Sequence, residues 1–318
     1  MKRWWVGIMA GTAAAGAGFL AGPRARAPSP AVPVPPVPDV GGLQTWVQKS
    51  EEQFDDLVEG AEKRVVWASE PGESTAVSLV YLHGFSASRQ ELSPVPVRVA
   101  EALGANLFEA RLTGHGRPGY ALGWARADDW LRDYREAVTI GRRLGSRVVF
   151  LGCSTGATLD AYVSSAGVES PDVHVWVSPN FGPRADGAEL LLYPWAKFWI
   201  PWVTGDQRTW EPVNERQGRY WTTEYPVQAL FPMQALVDAA RNADLDHIGA
   251  PVLVLHSTDD PVVEPQAIVD AYGRLRSSKK KRVAFTGLAD PHVLAGDILT
   301  PDNTERVVRE VVTWFRSL

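Results

Sequence analysis

The sequence predicts an α/β fold built on a doubly wound, mostly parallel sheet. Short apolar segments typical of strands alternate with longer amphipathic segments typical of helices over most of the chain. With 318 residues, the chain is long enough for one large α/β domain or two ordinary ones. Such a sheet binds its ligands beyond the carboxyl ends of its strands, so functional residues are expected in the loops that follow the strands.

Each predicted element has its own local signal. Short, continuous apolar runs indicate strands that are covered on both faces. Helices are predicted where apolar residues recur about every 3.6 positions, most clearly over 126–145. The predicted strands are 64–69, 76–84, 106–112, 147–152, 173–179, 251–256 and 282–288, and the predicted helices are 43–63, 93–104, 126–145, one beginning at Thr155, 264–276 and 301–318.

The first 42 residues differ from the rest and are expected to lie outside the fold. In residues 1–22, two basic residues precede an uncharged apolar run, as in an export signal, and residues 25–27 offer a cleavage site. The run also approaches the ~20 residues of a membrane anchor, and Pro28 fits processing poorly. Both interpretations predict an exported protein, periplasmic, extracellular or tethered to a membrane through its N-terminus. Residues 23–42 are proline-rich and predict an extended linker.

The predicted globular domain therefore covers residues 43–318, with one insertion. Residues 181–246 break the alternation of strands and helices and are rich in Trp, Tyr, Phe and Pro. Because they lie between two predicted strands, we expect them to form a cap over the carboxyl edge of the sheet. Trp195, Trp199 and Trp202 are the candidates for contacting a substrate, although aromatic side chains in such a segment equally serve packing.

Composition excludes several classes of function. The formal net charge of −5 argues against a nucleic-acid-binding protein held by phosphate contacts. The single cysteine rules out a disulfide within the chain and argues against a cysteine-ligated metal site. The histidines lack the HExxH spacing, and no GxxxxGK loop occurs. We therefore expect no metal and no cofactor.

The candidate nucleophile lies between a predicted strand and a predicted helix. Gly152, Ser154 and Gly156 form the pattern G-x-S-x-G at this junction. The turn is so sharp that side chains at the flanking positions would clash, and it exposes only its central residue. Ser154 is therefore the predicted nucleophile, whereas Cys153 is expected to point away and pack as a small apolar group. The alternative is a glycine-rich turn with no catalytic role.

A serine nucleophile needs a base that is oriented by an acid. With such a turn, the order along the chain is serine, then aspartate or glutamate, then histidine. Of the six histidines, only His292 follows both Ser154 and a carboxylate at the end of a later strand. Asp260 is the preferred acid and Asp259 the alternative, and one of the two could instead cap the next helix.

Two backbone N–H groups are also needed to bind the oxyanion that forms during acyl transfer. Thr155, which follows the nucleophile, is expected to supply one of them. Phe85, in the loop after the strand at 76–84, is expected to supply the other. His83 is expected to brace that loop rather than to transfer protons.

Six short motifs resemble those of the α/β-hydrolase superfamily in order and spacing: VYLHGFSAS, RLTGHG, ADDWLRDY, GCSTG, HSTDDPVV and PHVLAGD. The likeness covers residues 77–318 and is strongest to the bacterial carboxylesterase and monoacylglycerol lipase branch, close to the serine-aminopeptidase-like hydrolases. It implies the same nucleophile, acid, base and oxyanion donors. Ser257 stands where many relatives have glycine, and Cys153 and Thr155 also depart from the usual elbow.

These observations predict a serine hydrolase that cleaves carboxylic esters through an acyl-enzyme on Ser154. The aromatic cap predicts a small-molecule substrate with an apolar acyl group, such as a short or medium chain or a monoglyceride. One alternative is an aminopeptidase-like amide hydrolase, which would need a carboxylate in the cap to hold a free amine. Another is a non-catalytic protein that uses the same fold for binding.

Overall fold

Seven strands form one sheet in the computed structural model, which describes residues 18–26 and 28–318. Their order is β1-β3-β2-β4-β5-β8-β9, and every neighbouring pair is parallel except β1 with β3. The predicted α/β fold with a mostly parallel sheet is thereby confirmed. The strands of this sheet are β1 (Arg64–Val66), β2 (Thr75–Leu82), β3 (Asn106–Glu109), β4 (Gly145–Cys153), β5 (Val173–Val177), β8 (Val252–Ser257) and β9 (Lys280–Phe285).

Helices cover both faces of the sheet, and others lie in the segment between β5 and β8. They are α1 (Leu43–Glu51), α2 (Val95–Leu103), α3 (Gly119–Trp124), α4 (Ala127–Leu144), α5 (Thr155–Ser165), α6 (Ala196–Thr204), α7 (Glu215–Tyr220), α8 (Leu230–Arg241), α9 (Pro265–Arg274) and α10 (Thr304–Arg316). The predicted helix at 43–63 is shorter than expected, because α1 ends at Glu51. The buried Glu51 carboxylate pairs there with Arg111 and accepts the N–H of Lys63, which binds the following loop to the domain.

The central strands are apolar throughout because they are buried on both faces. Val149 and Leu151 of β4 pack on one face, in the core that includes α2 and α10. Val148 and Phe150 point to the other face and pack with residues of α4. Successive side chains of a strand point to opposite faces. In a sheet whose two faces are both covered, the strands therefore lack the usual alternation of polar and apolar residues.

The predicted insertion at 181–246 lies between β5 and β8. It contains α6, α7, α8 and a separate antiparallel pair of short strands, β6 (Gln207–Thr209) and β7 (Glu224–Pro226). Several of its residues line a cavity together with residues from loops after β2, β4 and β8. The insertion therefore covers the carboxyl edge of the sheet.

Part of the segment predicted as a linker packs against the domain. Val32 is buried in the core beside Leu43 and Val47 of α1, and the Tyr162 hydroxyl donates a 2.7 Å hydrogen bond to the carbonyl of Pro28. An extended backbone leaves its carbonyls free for such donors, and apolar side chains in the segment gain by burial.

Most of the predicted signal or anchor at 1–22 lies outside the described residues, which begin at Gly18. In the part of the chain that the structure describes, no helix combines the length and apolar character needed to span a membrane.

Candidate active site

Ser154 stands on a strained turn between β4 and α5. Its φ is +49° and its ψ is −114°, a conformation that residues with a side chain seldom adopt. A Cβ at Gly156 would lie 2.2 Å from the carbonyl oxygen of Leu82, and one at Gly152 would lie 2.6 Å from the backbone nitrogen of Ala157. Both positions therefore require glycine, as the G-x-S-x-G pattern predicts.

Ser154 and its neighbour Cys153 face different surroundings. The Ser154 side chain lines the cavity beneath the cap. Cys153 is fully buried in the apolar core, and burial raises the pKa of its thiol well above the usual range. A thiol needs its ionised form to act as a nucleophile, so this environment keeps Cys153 inert.

His292 and Asp260 form a hydrogen-bonded pair at the cavity. Nδ1 of His292 lies 2.8 Å from Oδ2 of Asp260, whose side chain is fully buried. An ionised carboxylate only accepts hydrogen bonds, so Nδ1 carries the proton and Nε2 of the neutral ring is left as an acceptor. Oδ1 of Asp260 accepts the N–H groups of Val262 and Val263, which fixes the carboxylate.

The neighbouring carboxylate, Asp259, is not brought to the histidine. Its oxygens accept from the N–H of Gly287 and the hydroxyl of Thr258. Neither Asp259 nor Asp260 caps α9, because the N-cap residue is Glu264. Of the two candidate acids, the structure therefore brings only Asp260 into contact with His292.

The charges around His292 keep its ring basic. Burial lowers the pKa of His292, but the hydrogen bond and charge of Asp260 act in the opposite direction. The charges of Glu91 and Asp290 add to this effect, and the resulting pKa is raised above its usual 6.5. A base with a raised pKa accepts a proton more readily but is available only at a higher pH.

The loop that carries His292 is held by two residues that the sequence did not single out. Ser178, directly after β5, donates a 2.7 Å hydrogen bond to the carbonyl of His292. Asp290 accepts the N–H groups of His292 and Val293, both at 2.9 Å. Ser178 lies near the end of one predicted strand and Asp290 follows another, but their contacts cross between loops and leave no pattern along the chain.

The predicted oxyanion donors lie together at the cavity. Phe85 and Thr155 both line it, beside Ser154. Neither backbone N–H donates to an acceptor among the residues that the structure describes. His83 braces this loop as expected: its Nδ1 contacts the carbonyl of Gly84 and its Nε2 accepts the N–H of Leu112. Burial lowers the pKa of His83 to about 4, so its ring is neutral.

Glu91 is a buried carboxylate at the same place, and sequence analysis missed it. Its Oε2 accepts the Gly84 N–H at 2.7 Å and lies 3.4 Å from the Tyr81 hydroxyl. A Cβ at Gly84 would lie 2.8 Å from Oε1 of Glu91 and 3.0 Å from Cβ of Ser154, so the loop, the Glu91 carboxylate and Ser154 pack closely. Burial raises the pKa of Glu91. In the sequence, Glu91 looks like one more loop carboxylate.

The cavity has a volume of about 1010 Å³ and a mainly apolar wall. Of the three tryptophans predicted to contact a substrate, only Trp199 lines it. Trp202 is 87% exposed, and Trp195 is 41% exposed and contacts residues near the N-terminus. Successive helical residues turn by about 100°, so the side of α6 that faces the cavity excludes Trp202. That side presents Trp199, Ile200, Val203 and Thr204.

Two further walls complete the cavity. Apolar residues of the cap and the His292 loop that also line the cavity include Leu190, Leu191, Trp210, Trp221, Leu230, Met233 and Leu299. Among residues 18–26 and 28–318, no three His, Cys, Asp or Glu side chains are grouped as a metal site requires.

The family comparison covers most of the sheet. A family model described as serine aminopeptidase, S33, matches residues 74–289, which is more than half of the chain. The matched range contains Ser154 and Asp260 and ends shortly before His292. A comparison with curated proteins gave no match.

Solved structures share this fold at low sequence identity. A structure reported with the metagenome-derived lipolytic enzymes LipS and LipT has a TM-score of 0.68 at 19% identity, and the match covers 82% of this chain and 100% of that one. For the monoacylglycerol lipase of Paleococcus ferrophilus, the TM-score is 0.60, the identity 15%, and the coverage 80% and 98%. A soluble variant of monoglyceride lipase from Saccharomyces cerevisiae gives 0.58 and 13%, with 81% and 92% covered. The family match and the shared sheet together show that the chain belongs to the serine aminopeptidase S33 family of α/β hydrolases.

Proposed function

We propose that the protein is a serine esterase of lipolytic type, acting on small esters with an apolar acyl group. One observation carries the proposal. Ser154 on its strained turn and His292, paired with the buried Asp260, both line one large cavity with a mainly apolar wall. The lipolytic enzymes and monoacylglycerol lipases that share the fold support an ester as the substrate.

In this mechanism, His292 removes the proton from the Ser154 hydroxyl through Nε2. The serine oxygen then bonds to the ester carbonyl carbon, and the N–H groups of Phe85 and Thr155 stabilise the negative oxygen. As the carbonyl re-forms, the bond to the alcohol breaks and His292 returns the proton to the leaving oxygen. Asp260 stays ionised, holds the ring tautomer and stabilises the charged imidazole.

Deacylation repeats these steps with water. His292 removes a proton from a water molecule, the hydroxide attacks the acyl carbon, and the proton returns to Ser154 as the acid is released. The stabilised oxyanion again lies at Phe85 and Thr155. Glu91 acts here as a positioning residue, because it holds the N–H of Gly84, directly before the Phe85 donor.

A fluorophosphonate probe tests the nucleophile. The full-length protein is expected to be labelled, and Ser154→Ala is expected to lose the label completely because the attacking oxygen is gone. Cys153→Ala is the matched control, since it changes the adjacent residue behind the turn and should retain labelling. Failure of the wild type to react would favour the non-catalytic alternative, and labelling that survives Ser154→Ala would show that another residue reacts.

A panel of p-nitrophenyl esters from acetate to laurate tests the substrate class. The apolar wall predicts that kcat/KM rises from acetate toward medium chains, by roughly fourfold per added methylene that is buried. Trp199→Ala should flatten this dependence, whereas Trp202→Ala, outside the cavity on the same helix, should leave it unchanged. Activity on acetate alone would contradict a lipolytic function.

Amide hydrolysis is the second candidate, favoured by one carboxylate at the cavity. A peptidase that removes N-terminal residues needs a carboxylate for the substrate amine, and Asp186 in the cap lines the cavity. Asp290 also lines it, but its Oδ1 already accepts two backbone N–H groups. Aminoacyl-coumarin substrates that are cleaved faster than esters, with a loss specific to Asp186→Asn, would establish the peptidase instead.

A further inference from the structure

The outer side of α6 and the turn before it form a strongly exposed aromatic surface, here called the aromatic patch. The side chains of Phe198 and Trp202 are 59% and 87% exposed. Exposed apolar groups are ordinary when scattered, but a contiguous patch of large ones marks an interaction surface. The patch consists of Tyr193, Trp195, Phe198, Trp202 and Val203.

The end of the uncharged N-terminal run, from Gly18, and Pro23 directly after it lie against this patch. The backbone N–H of Trp195 donates a 2.8 Å hydrogen bond to the carbonyl of Pro23, and its indole N–H lies 3.4 Å from the carbonyl of Gly18. A Cβ at Gly22 would overlap the indole ring, so the Gly22 backbone packs directly against the Trp195 side chain. Phe19 and Leu20 beside them are exposed as well and extend the apolar surface.

We propose that the aromatic patch docks on an anionic lipid bilayer. Residues 4–22 contain no charged side chain, and this run joins the domain directly at the patch. Its length is close to the ~20 residues that cross a hydrocarbon core, so a bilayer that receives the run meets the patch as well. Helix α6 of the cap would then contact the leaflet that the N-terminal run enters.

The residues around the patch favour lipid over another protein surface. Tryptophan and tyrosine are the side chains that accumulate at membrane interfaces, where their rings are apolar and their N–H or O–H groups remain wet. Arg24, Arg26 and Lys197 are exposed at its margin, where they can meet anionic headgroups. Ala25, between the two arginines, packs inward against the cap, which holds both arginines outward.

Docking would also place the cavity wall against the lipid. The opposite side of α6 carries Trp199 and Ile200 into the cavity, and Val203 belongs to both the cavity wall and the patch. Helix α6 would then lie between the bilayer and the cavity that Ser154 and His292 line. The binding itself does not depend on hydrolysis, so it can be tested independently of the proposed esterase activity.

Single-cysteine labelling of the full-length chain tests the proposal. Cys153 is the only cysteine in the sequence and is buried, so an introduced cysteine can be labelled selectively with a nitrobenzoxadiazole dye. Phe198→Cys and Trp202→Cys report on the patch, and Thr313→Cys on the exposed side of α10 is the matched control. Vesicles of phosphatidylcholine and phosphatidylglycerol carry a doxyl-labelled lipid as quencher.

Both patch labels are expected to shift to shorter emission wavelengths and to be quenched on the vesicles, while the label at residue 313 stays unquenched. In co-sedimentation, Trp202→Glu should partition roughly tenfold less than Thr313→Glu, because a buried aromatic group is replaced by a charge. Vesicles of phosphatidylcholine alone should bind more weakly, and equal binding would overturn the role of the basic side chains.

Three results would overturn docking on lipid. The patch labels could remain unquenched while the chain sediments with vesicles, which would mean that the N-terminal run binds without α6. Emission already shifted without vesicles and independent of protein concentration would mean that the chain's own N-terminal run covers the patch. A shift that grows with protein concentration would instead show that a second copy covers it.

Discussion

Two aspartate–histidine pairs lie at opposite edges of the same sheet. At the carboxyl edge, Nδ1 of His292 is 2.8 Å from Asp260, and near the other edge Nδ1 of His174 is 2.7 Å from Asp160. Both aspartates are fully buried. A serine hydroxyl, that of Ser170, even lies 3.4 Å from Nε2 of His174.

The pairs differ in what surrounds them. Asp160 accepts hydrogen bonds from the Tyr134 hydroxyl at 2.7 Å, the Trp176 indole at 2.6 Å and the Ser164 hydroxyl at 3.2 Å. None of these groups lines the cavity. Asp260 instead contacts a histidine that lines the cavity. Contact between a carboxylate and an imidazole is therefore not sufficient for an active site. The Asp160–His174 pair connects α5 to β5, whereas the Asp260–His292 pair lies where a substrate in the cavity can reach it.

Replacing the two histidines gives the largest expected contrast. His292→Ala should lower kcat for ester hydrolysis by roughly 10⁴- to 10⁶-fold, because Ser154 loses its base. His174→Ala should leave kcat per folded molecule unchanged. Steady-state rates, normalised to the folded fraction from circular dichroism, decide this, and a comparable loss in both variants would remove the distinction between the pairs.

The two aspartates are expected to differ by a smaller factor. Asp260→Asn should reduce kcat by about 10³- to 10⁴-fold, because an amide can hold the wrong tautomer of His292. Asp160→Asn keeps the size of the side chain beside His174, away from the cavity, and should leave kcat nearly unchanged. Single-turnover acylation rates measure the effect, and full activity in Asp260→Asn would show that its carboxylate does not orient the base.

Stability should respond in the opposite sense. His174→Ala is expected to lower the free energy of unfolding by about 2–5 kcal/mol, because it leaves a cavity and removes a partner of the buried Asp160. His292→Ala should lower it less, since one side of that ring faces the cavity. Urea unfolding of both variants provides the comparison. Equal losses of unfolding free energy would mean that the His292–Asp260 pair contributes as much to folding as the His174–Asp160 pair.

The pH dependence gives the smallest effect and the sharpest signature. The base must be neutral, so kcat/KM should fall as pH drops through the raised pKa of His292, above its usual 6.5. Glu91→Gln removes a negative charge that raises this pKa while keeping an acceptor for Gly84, so the acidic limb should move to lower pH by a fraction of a unit. Glu91→Leu should instead lower kcat, because the loop loses its acceptor. A profile measured from about pH 5 to about pH 8 that stays flat would contradict His292 as the base.

The sheet and the sharp turn at Ser154 leave local signals in the sequence, which is why both could be predicted. Apolar runs mark the strands, and the two glycines around Ser154 are dictated by contacts only a few residues away. The order of serine, carboxylate and histidine along the chain then selects His292 from the six histidines as the candidate base. In the structure, His292 contacts Asp260.

Long-range contacts explain what could not be predicted. Glu91 and Ser178 matter through the loops they hold, and an isolated glutamate or serine in a sequence carries no sign of its burial. In the cap, tryptophans occur on every side of α6, so periodicity cannot tell which of them faces inward. The composition of the proline-rich segment 23–42 likewise predicts a linker outside the fold, yet Val32 within it is buried.

The contact of Gly156 with Leu82 has a consequence for how this protein can be altered. It brings the end of β2 against the start of α5 with no room for a methyl group, so the loop of Phe85 and the turn of Ser154 are fixed to each other by main chain. The cap is joined to that loop by a 2.7 Å hydrogen bond from the Thr222 N–H to the Ser86 carbonyl, and its residues form most of the cavity wall. Laboratory evolution of a new preference should therefore accumulate its accepted changes in the cap, while the glycines beneath it tolerate none.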